Sequence, residues 1–307
     1  MTTPPPDAFR VHHAEIGGIR IAYLREGAGG FPLLLLHGYP ETKRIWWRNV
    51  RPLAEAGFEV IVPDLRGFGD SDLARDDRYD VAAHARDAHA LVHDVLGHAQ
   101  CATASGDLGG VVAQDLGFRF PGFVRWQCIF NTVLPFLAQD YAAAGIPDGR
   151  ERGIGPEADY FMRQATDADA LAAELDTPAR RRAYIADFYG HRFWAAPRTF
   201  SRGDVDFMTE PFADGAKLRA SFANYEYATG NRVAPEMVHL FEKNPIPTLL
   251  LYGPEDHVVP RDFVAKAEVA FTERIGPLVV PGAGHFLQWE RADVLNQALK
   301  YFLNGMR

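Results

Sequence analysis

The feature that most constrains this chain is a repeated alternation of short apolar runs with longer amphipathic ones. It fills residues 9–107 and returns from residue 246 to the end. Such alternation is the signature of a mainly parallel sheet covered by helices. Strands are expected at 9–16, 19–25, 32–37, 59–63 and 100–105, then at 247–252 and 276–280. Helices are expected at 81–96, closed by Gly97, and at 261–271 and 292–304. The runs at 31–36 and 58–62 lack strict alternation, as strands covered on both faces do.

Residues 134–244 read differently. They hold charged helical patterns at 168–175 and 178–189, many aromatics and no clear strand. Expected is a core domain made of 1–134 and 245–307, with a helical cap, 135–244, inserted in it. A length of 307 residues with 47% hydrophobic content suffices for one large core of this kind.

Composition removes several function classes. The net charge of −8 and the lack of any Lys/Arg-rich run exclude a nucleic-acid binder. No apolar run approaches the roughly 18 to 20 residues of a membrane span. The lead-in Thr2-Thr3-Pro4-Pro5-Pro6-Asp7 lacks the basic and apolar regions of a secretion signal and reads as disordered. Cys101 and Cys128, in strand-like segments, read as buried reduced thiols, consistent with the cytoplasm. No cofactor or metal is implied: His257 has no second His or Cys at ligand spacing and reads as exposed. A monomer or a homodimer is expected.

The chemistry concentrates in four loops. Ser105-Gly106-Asp107-Leu108-Gly109-Gly110 follows a strand and precedes a helix starting near Gly109. A side chain held on so tight a turn needs small residues two before and two or three after it, and these flank Asp107 rather than Ser105. The competing reading is a glycine-rich turn with Asp107 capping the helix. Pro281-Gly282-Ala283-Gly284-His285-Phe286 follows the last strand and can bring an imidazole to the turn as a base. Asp256, after the preceding strand, can accept the other imidazole proton, with Glu255 competing for that role. His37-Gly38-Tyr39-Pro40 follows the third strand. The backbone N–H of Tyr39, with that of Leu108, could form an oxyanion hole; the alternative is a plain turn.

Taken with Asp64-Leu65-Arg66-Gly67-Phe68-Gly69-Asp70-Ser71 and Glu41, these motifs resemble the epoxide hydrolases of the α/β-hydrolase fold and their dehalogenase relatives. The likeness covers the whole sheet domain. It implies a covalent alkyl ester at Asp107, formed from a small apolar substrate and hydrolysed by water that His285 and Asp256 activate, with His37, Tyr39 and Leu108 lining the substrate. It also implies tyrosines that protonate an opening epoxide: Tyr160 in Asp159-Tyr160-Phe161, and Tyr225 in a helix at 218–226, with Tyr227 competing. Glu226 stands where the family often has Arg. Leu108 stands where haloalkane dehalogenases place Trp and fluoroacetate dehalogenases place Arg, which favours an uncharged substrate, although Trp46, Trp47 and Trp194 could supply halide donors. Trp46 and Trp47 read better as packing against the sheet. Dehalogenation and a non-catalytic small-ligand receptor are the alternatives to epoxide hydrolysis.

Overall fold

A computed structural model describes residues 3–147, 159–190 and 194–304. Eight strands form one sheet: β1 Val11–Ile16, β2 Ile19–Glu26, β3 Phe31–Leu36, β4 Phe58–Pro63, β5 Cys101–Gly106, β6 Val124–Phe130, β7 Thr248–Tyr252 and β8 Arg274–Val279. Their order is β1-β2-β4-β3-β5-β6-β7-β8, with only the β1/β2 and β2/β4 pairs antiparallel. This is the α/β-hydrolase fold.

Burial follows sheet position. β4, β5 and β7 are buried at every residue and β3 at all but its first, because helices cover both faces. The edge strand β1 alternates, and β8 leaves Ile275, Leu278 and Val279 exposed. Each fully buried Leu of β3 contributes about 1.5–3 kcal/mol of transfer free energy. The chain leaves β3 toward β4 on one side and later enters β5 on the other, so a crevice opens between the carboxyl ends of β3 and β5. Registers Leu36↔Ser105 and Gly106↔Phe130 bring the loops after β3, β5 and β6 to one level.

Three details outside the helical insertion differ from expectation. β6 is a central strand absent from the sequence reading, although Cys128 within it already read as strand-like; Cys101 and Cys128 are both free and buried. The helix over 81–96 is α-helical at Val81–His89, capped by the Asp80 carboxylate, and π-helical at Ala90–Val95. The described part of the lead-in is docked rather than loose. Thr3 Oγ1 accepts from Arg48 Nε at 2.8 Å and the Pro5 carbonyl accepts the Trp47 indole N–H at 3.0 Å. Residues 1–2 of the lead-in lie outside the described residues.

Between β6 and β7 the described residues form helices, among them Asp159–Thr166, Ala168–Glu174, Pro178–Gly190, Arg202–Thr209, Gly215–Ser221 and Ala223–Thr229. The helix expected at 218–226 is thus two, parted at Phe222. No helix among the described residues is long and apolar enough to cross a membrane.

Candidate active site

The turn from β5 into helix Asp107–Arg119 holds Asp107 at φ +46°, a left-handed conformation that costs a residue with a Cβ roughly 1–3 kcal/mol. Backbone bonds hold it there. Asp107 N–H donates to the Asn131 carbonyl at 2.9 Å, and the Thr132 hydroxyl donates to the Asp107 carbonyl. A Cβ at Gly109 would come within 2.5 Å of the Leu36 carbonyl oxygen, and one at Gly38 within 2.5 Å of Asp107 Cβ. Both glycines are therefore required by close approach. Ser105, the rival at this turn, is fully buried inside β5.

Three loops converge on this carboxylate. His285 Nε2 lies 3.3 Å from Asp107 Oδ2 without the alignment of a hydrogen bond, and His285 Nδ1 lies 2.9 Å from Asp256 Oδ2. Asp256 is held by the N–H groups of Val258 (2.7 Å) and Val259 (3.1 Å) on its other oxygen, whereas Glu255 and His257 are exposed. The side chains of His285 and Asp256 are 1% and 0% exposed, but that of Asp107 is 22% exposed, so a small molecule can reach Asp107 first. Burial pulls the His285 pKa down, but the Asp256 and Asp107 carboxylates outweigh it and hold the imidazole well above its ordinary value.

The loop after β3 supplies the other side. Tyr39 N–H donates to Asp107 Oδ1 at 2.6 Å, where an oxyanion-hole donor would stand; Leu108 is half-buried beside it. His37, expected at the substrate, sits deeper. Its Nε2 accepts from Leu65 N–H at 2.9 Å and its Nδ1 meets the Gly38 carbonyl at 2.9 Å, so both nitrogens brace backbone. Burial lowers its pKa, which keeps the ring neutral and leaves the proton on Nδ1. The Asp64 to Ser71 motif is scaffolding for the same loop: Asp64 accepts Lys43 N–H at 2.8 Å, Lys43 Nζ at 2.5 Å and Asp70 N–H at 2.7 Å.

Aromatic side chains roof the carboxylate. Tyr160 and Tyr225 are buried with rings edge-to-face at 5.5 Å, and Tyr225 is edge-to-face with Tyr39 at 5.2 Å. Burial raises both phenols' pKa values, with the Asp107 charge adding to each. Tyr227 lies elsewhere, packed on the Tyr79, Ala220 and Ala223 cluster beneath the Arg232 guanidinium. Glu226 pairs with Arg219 at 2.8 Å, so the departure from Arg is absorbed in a helix–helix ion pair. Trp194 is fully buried, its ring 4.7 Å from His285 and 5.0 Å from Tyr160. Trp46 is buried edge-on to Phe130, and the Trp47 N–H is committed to Pro5.

Three residues at the site carried little or no signal in the sequence. Asn131 ties the loops together: its Nδ2 donates to the Gly284 carbonyl at 2.7 Å and its Oδ1 accepts Gly253 N–H at 2.9 Å. Its only signal is an Asn just after a strand. Glu41, buried, accepts Gly38 N–H at 2.6 Å and Gln288 Nε2 at 2.7 Å; burial, with the Asp107 charge adding, pushes its carboxyl up to about 8. Glu290, six residues beyond Gly284, is the third. For metals, His89, His93 and Asp94 are the one convergent ligand group among the described residues, and they sit on the 81–95 helical stretch, not at the strand ends.

Comparison with known proteins matches residues 32–292 to the α/β-hydrolase-fold family. The soluble epoxide hydrolase of a Corynebacterium species is 29% identical over 95% of this chain and 96% of its own. A haloalkane dehalogenase of Bradyrhizobium diazoefficiens is 26% identical over 98% and 96%. Among solved structures, an epoxide hydrolase without ligand superposes with a TM-score of 0.82 at 24% identity, covering 97% of this chain and 100% of that one, a likeness of fold.

Proposed function

The chain belongs to the α/β-hydrolase family, and from that premise we propose that it opens an apolar epoxide to a vicinal diol through an alkyl ester at Asp107. One observation carries the reading: an accessible carboxylate on a strained turn, 3.3 Å from an imidazole, beneath two tyrosine hydroxyl-bearing rings. A carboxylate suits attack on saturated carbon, because its ester can later be hydrolysed at the carbonyl. The epoxide hydrolase relative supports the same substrate class.

In the first step an Asp107 oxygen bonds to an epoxide carbon and the C–O ring bond breaks. Tyr160 or Tyr225 gives its proton to the ring oxygen, which as an alkoxide is a far stronger base than phenolate. The charge on Asp107 is consumed as this happens. Its contribution to the raised tyrosine pKa values disappears, so the acids strengthen when they are needed.

The same event resets His285. One of the two carboxylates holding it protonated becomes a neutral ester, so the imidazolium can return a proton to the tyrosinate and become a base. It then takes a proton from water, and hydroxide attacks the Asp107 carbonyl. Negative charge on that oxygen is met by the N–H groups of Tyr39 and Leu108; as the bond from the carbonyl carbon to the alkyl oxygen breaks, the His285 imidazolium protonates the departing alkoxide, and the regenerated Asp107 acid returns its proton to His285. Residues 135–244 act as the cap that carries the acids.

The test is a single turnover with enzyme in excess in ¹⁸O-water. Label should enter Asp107 and not the first-formed diol, and Asp107→Ala should retain less than about 10⁻⁴ of turnover. Label in the first diol, or an active Asp107→Ala enzyme, overturns the reading. Dehalogenation is the second reading, favoured by the buried Trp194 Nε1, which lacks a hydrogen-bond partner among the described residues, and by the dehalogenase relative. Halide release with no diol from styrene oxide would select it.

A further inference from the structure

Glu290 ends the short helix Leu287–Glu290, directly after the His285 loop. Its side chain turns back on that loop. Oε1 accepts Phe286 N–H at 2.9 Å and Oε2 accepts Gly284 N–H at 3.0 Å, so the amides on either side of His285 point at one carboxylate. The same Oε2 accepts Ala196 N–H at 2.6 Å, and the Thr199 hydroxyl stands 3.1 Å from it while also facing the Ala196 carbonyl at 2.7 Å, in the segment leading into helix Arg202–Thr209. Bonds to a carboxylate are shorter and stronger than neutral ones, and three amides and a shared hydroxyl converge here.

The two pieces of chain touch along their whole contact. His285 N–H donates to the Trp194 carbonyl at 2.6 Å, and its ring meets the Trp194 indole edge-on at 4.7 Å. A Cβ on Gly284 would come within 2.5 Å of both Ala196 N and the Trp194 carbonyl oxygen. The catalytic loop and residues 194–199 therefore form one knot, and the charge of Glu290 lies inside it. Burial pushes that carboxyl up to about 7 against the pull of the amides of Ala196, Gly284 and Phe286, so it is mainly ionised at pH 8.

We propose that Glu290 is a positioning residue for His285: its carboxylate locks the histidine loop to the 194–199 segment, so the aim of the imidazole depends on the helical insertion being seated. This rests on the Asp107 ester reading. It makes the two chemical steps respond differently. Asp107 is held by the N–H of Tyr39, the hydroxyl of Thr132 and the main-chain carbonyl of Asn131, whereas Asn131 reaches the histidine loop through its side chain, on the Gly284 carbonyl, so ester formation should survive loss of the lock. Ester hydrolysis, which needs His285 aimed at a water, should not.

The experiment follows both steps at pH 8 with styrene oxide, by rapid quench and intact mass. Glu290→Ala should slow ester hydrolysis about 10-fold to 100-fold and accumulate the Asp107 ester, with ester formation changed less than about twofold. Glu290→Gln, which keeps one acceptor oxygen, should fall between. Equal loss in both steps, or no change in a folded variant, overturns the proposal. If Glu290→Ala does not fold, Glu290→Gln and Thr199→Val carry the test, and an unchanged ratio of the two rates in both overturns it. A substrate-free measurement separates failure of the Asp107 reading from failure of this one. Exchange with water of the proton between His285 Nδ1 and Asp256, followed by NMR, should quicken about tenfold or more in Glu290→Ala, and an unchanged rate counts against the lock even if no epoxide is turned over.

Discussion

The strand ends and the aromatic roof are built by opposite means. At the strand ends, main-chain groups fix the polar side chains: Tyr39 N–H on Asp107, Val258 and Val259 N–H on Asp256, Leu65 N–H on the neutral ring of His37. In the roof, side chains fix each other. Tyr39, Tyr160, Phe161, Tyr225 and Phe188 pack edge-to-face, and Gln164 Nε2 donates to the hydroxyls of Tyr39 and Tyr184 at 2.6 and 2.8 Å. A backbone donor is present whatever side chain its residue carries, proline excepted, so the strand ends are held independently of the donors' side chains. Ring packing changes whenever a ring is substituted, so the roof is the part most readily reshaped by sequence.

That contrast can be broken at its strong end first. His285→Gln should leave ester formation nearly intact and slow ester hydrolysis by about 10³-fold or more, because the proposed base is removed; intact mass should show the ester building up on Asp107. Equal loss of both steps would mean that the imidazole also serves the attack itself.

In the roof the expected effects are smaller. Tyr225→Phe removes one of the two proposed acids and should lower kcat/KM for an aryl epoxide by about 10²-fold. Tyr227→Phe should stay within about twofold, since that ring packs under Arg232. Reversal of the two would move the acid to the other side of the helix.

The smallest effect is on stability and sharpens the boundary between the regions. Glu41 binds a proton in the folded protein up to about pH 8, but in the unfolded chain only up to its ordinary value of 4.5. Between those limits the native state holds more protons, so stability is full below about pH 4.5 and is lost as pH rises through about 8. Glu41→Gln should flatten the fall of Tm between pH 5 and pH 8, by on the order of 1 kcal/mol or more in unfolding free energy. An unchanged slope would assign the pH dependence to other groups, of which Glu290, pushed up to about 7, acts in the same sense.

Much of the strand-end region was legible residue by residue. Asp107 could be told from Ser105 because a left-handed turn demands small neighbours at set offsets, and those neighbours are adjacent in sequence. The order Asp107, Asp256, His285 followed from loops that each end a strand. The roof was not legible in this way. Tyr225 and Tyr227, two positions apart on a helix, project about 200° apart, and nothing local says which face meets the sheet. Glu255 and Asp256 posed the same problem in a loop, and His37 was expected at the substrate although its ring serves the backbone below.

The alternating grammar of the sheet, the strained turn at Asp107 and the glycine-bounded loop that ends in His285 can be read from the chain alone, because backbone sterics act between neighbours in it. Which tyrosine faces Asp107, which acid meets His285, and how Asn131, Glu41 and Glu290 bind the loops into one site emerge once the chain is folded. These depend on where hydrogen-bond donors from distant segments end up, and on which carboxylates lose water when the segments close.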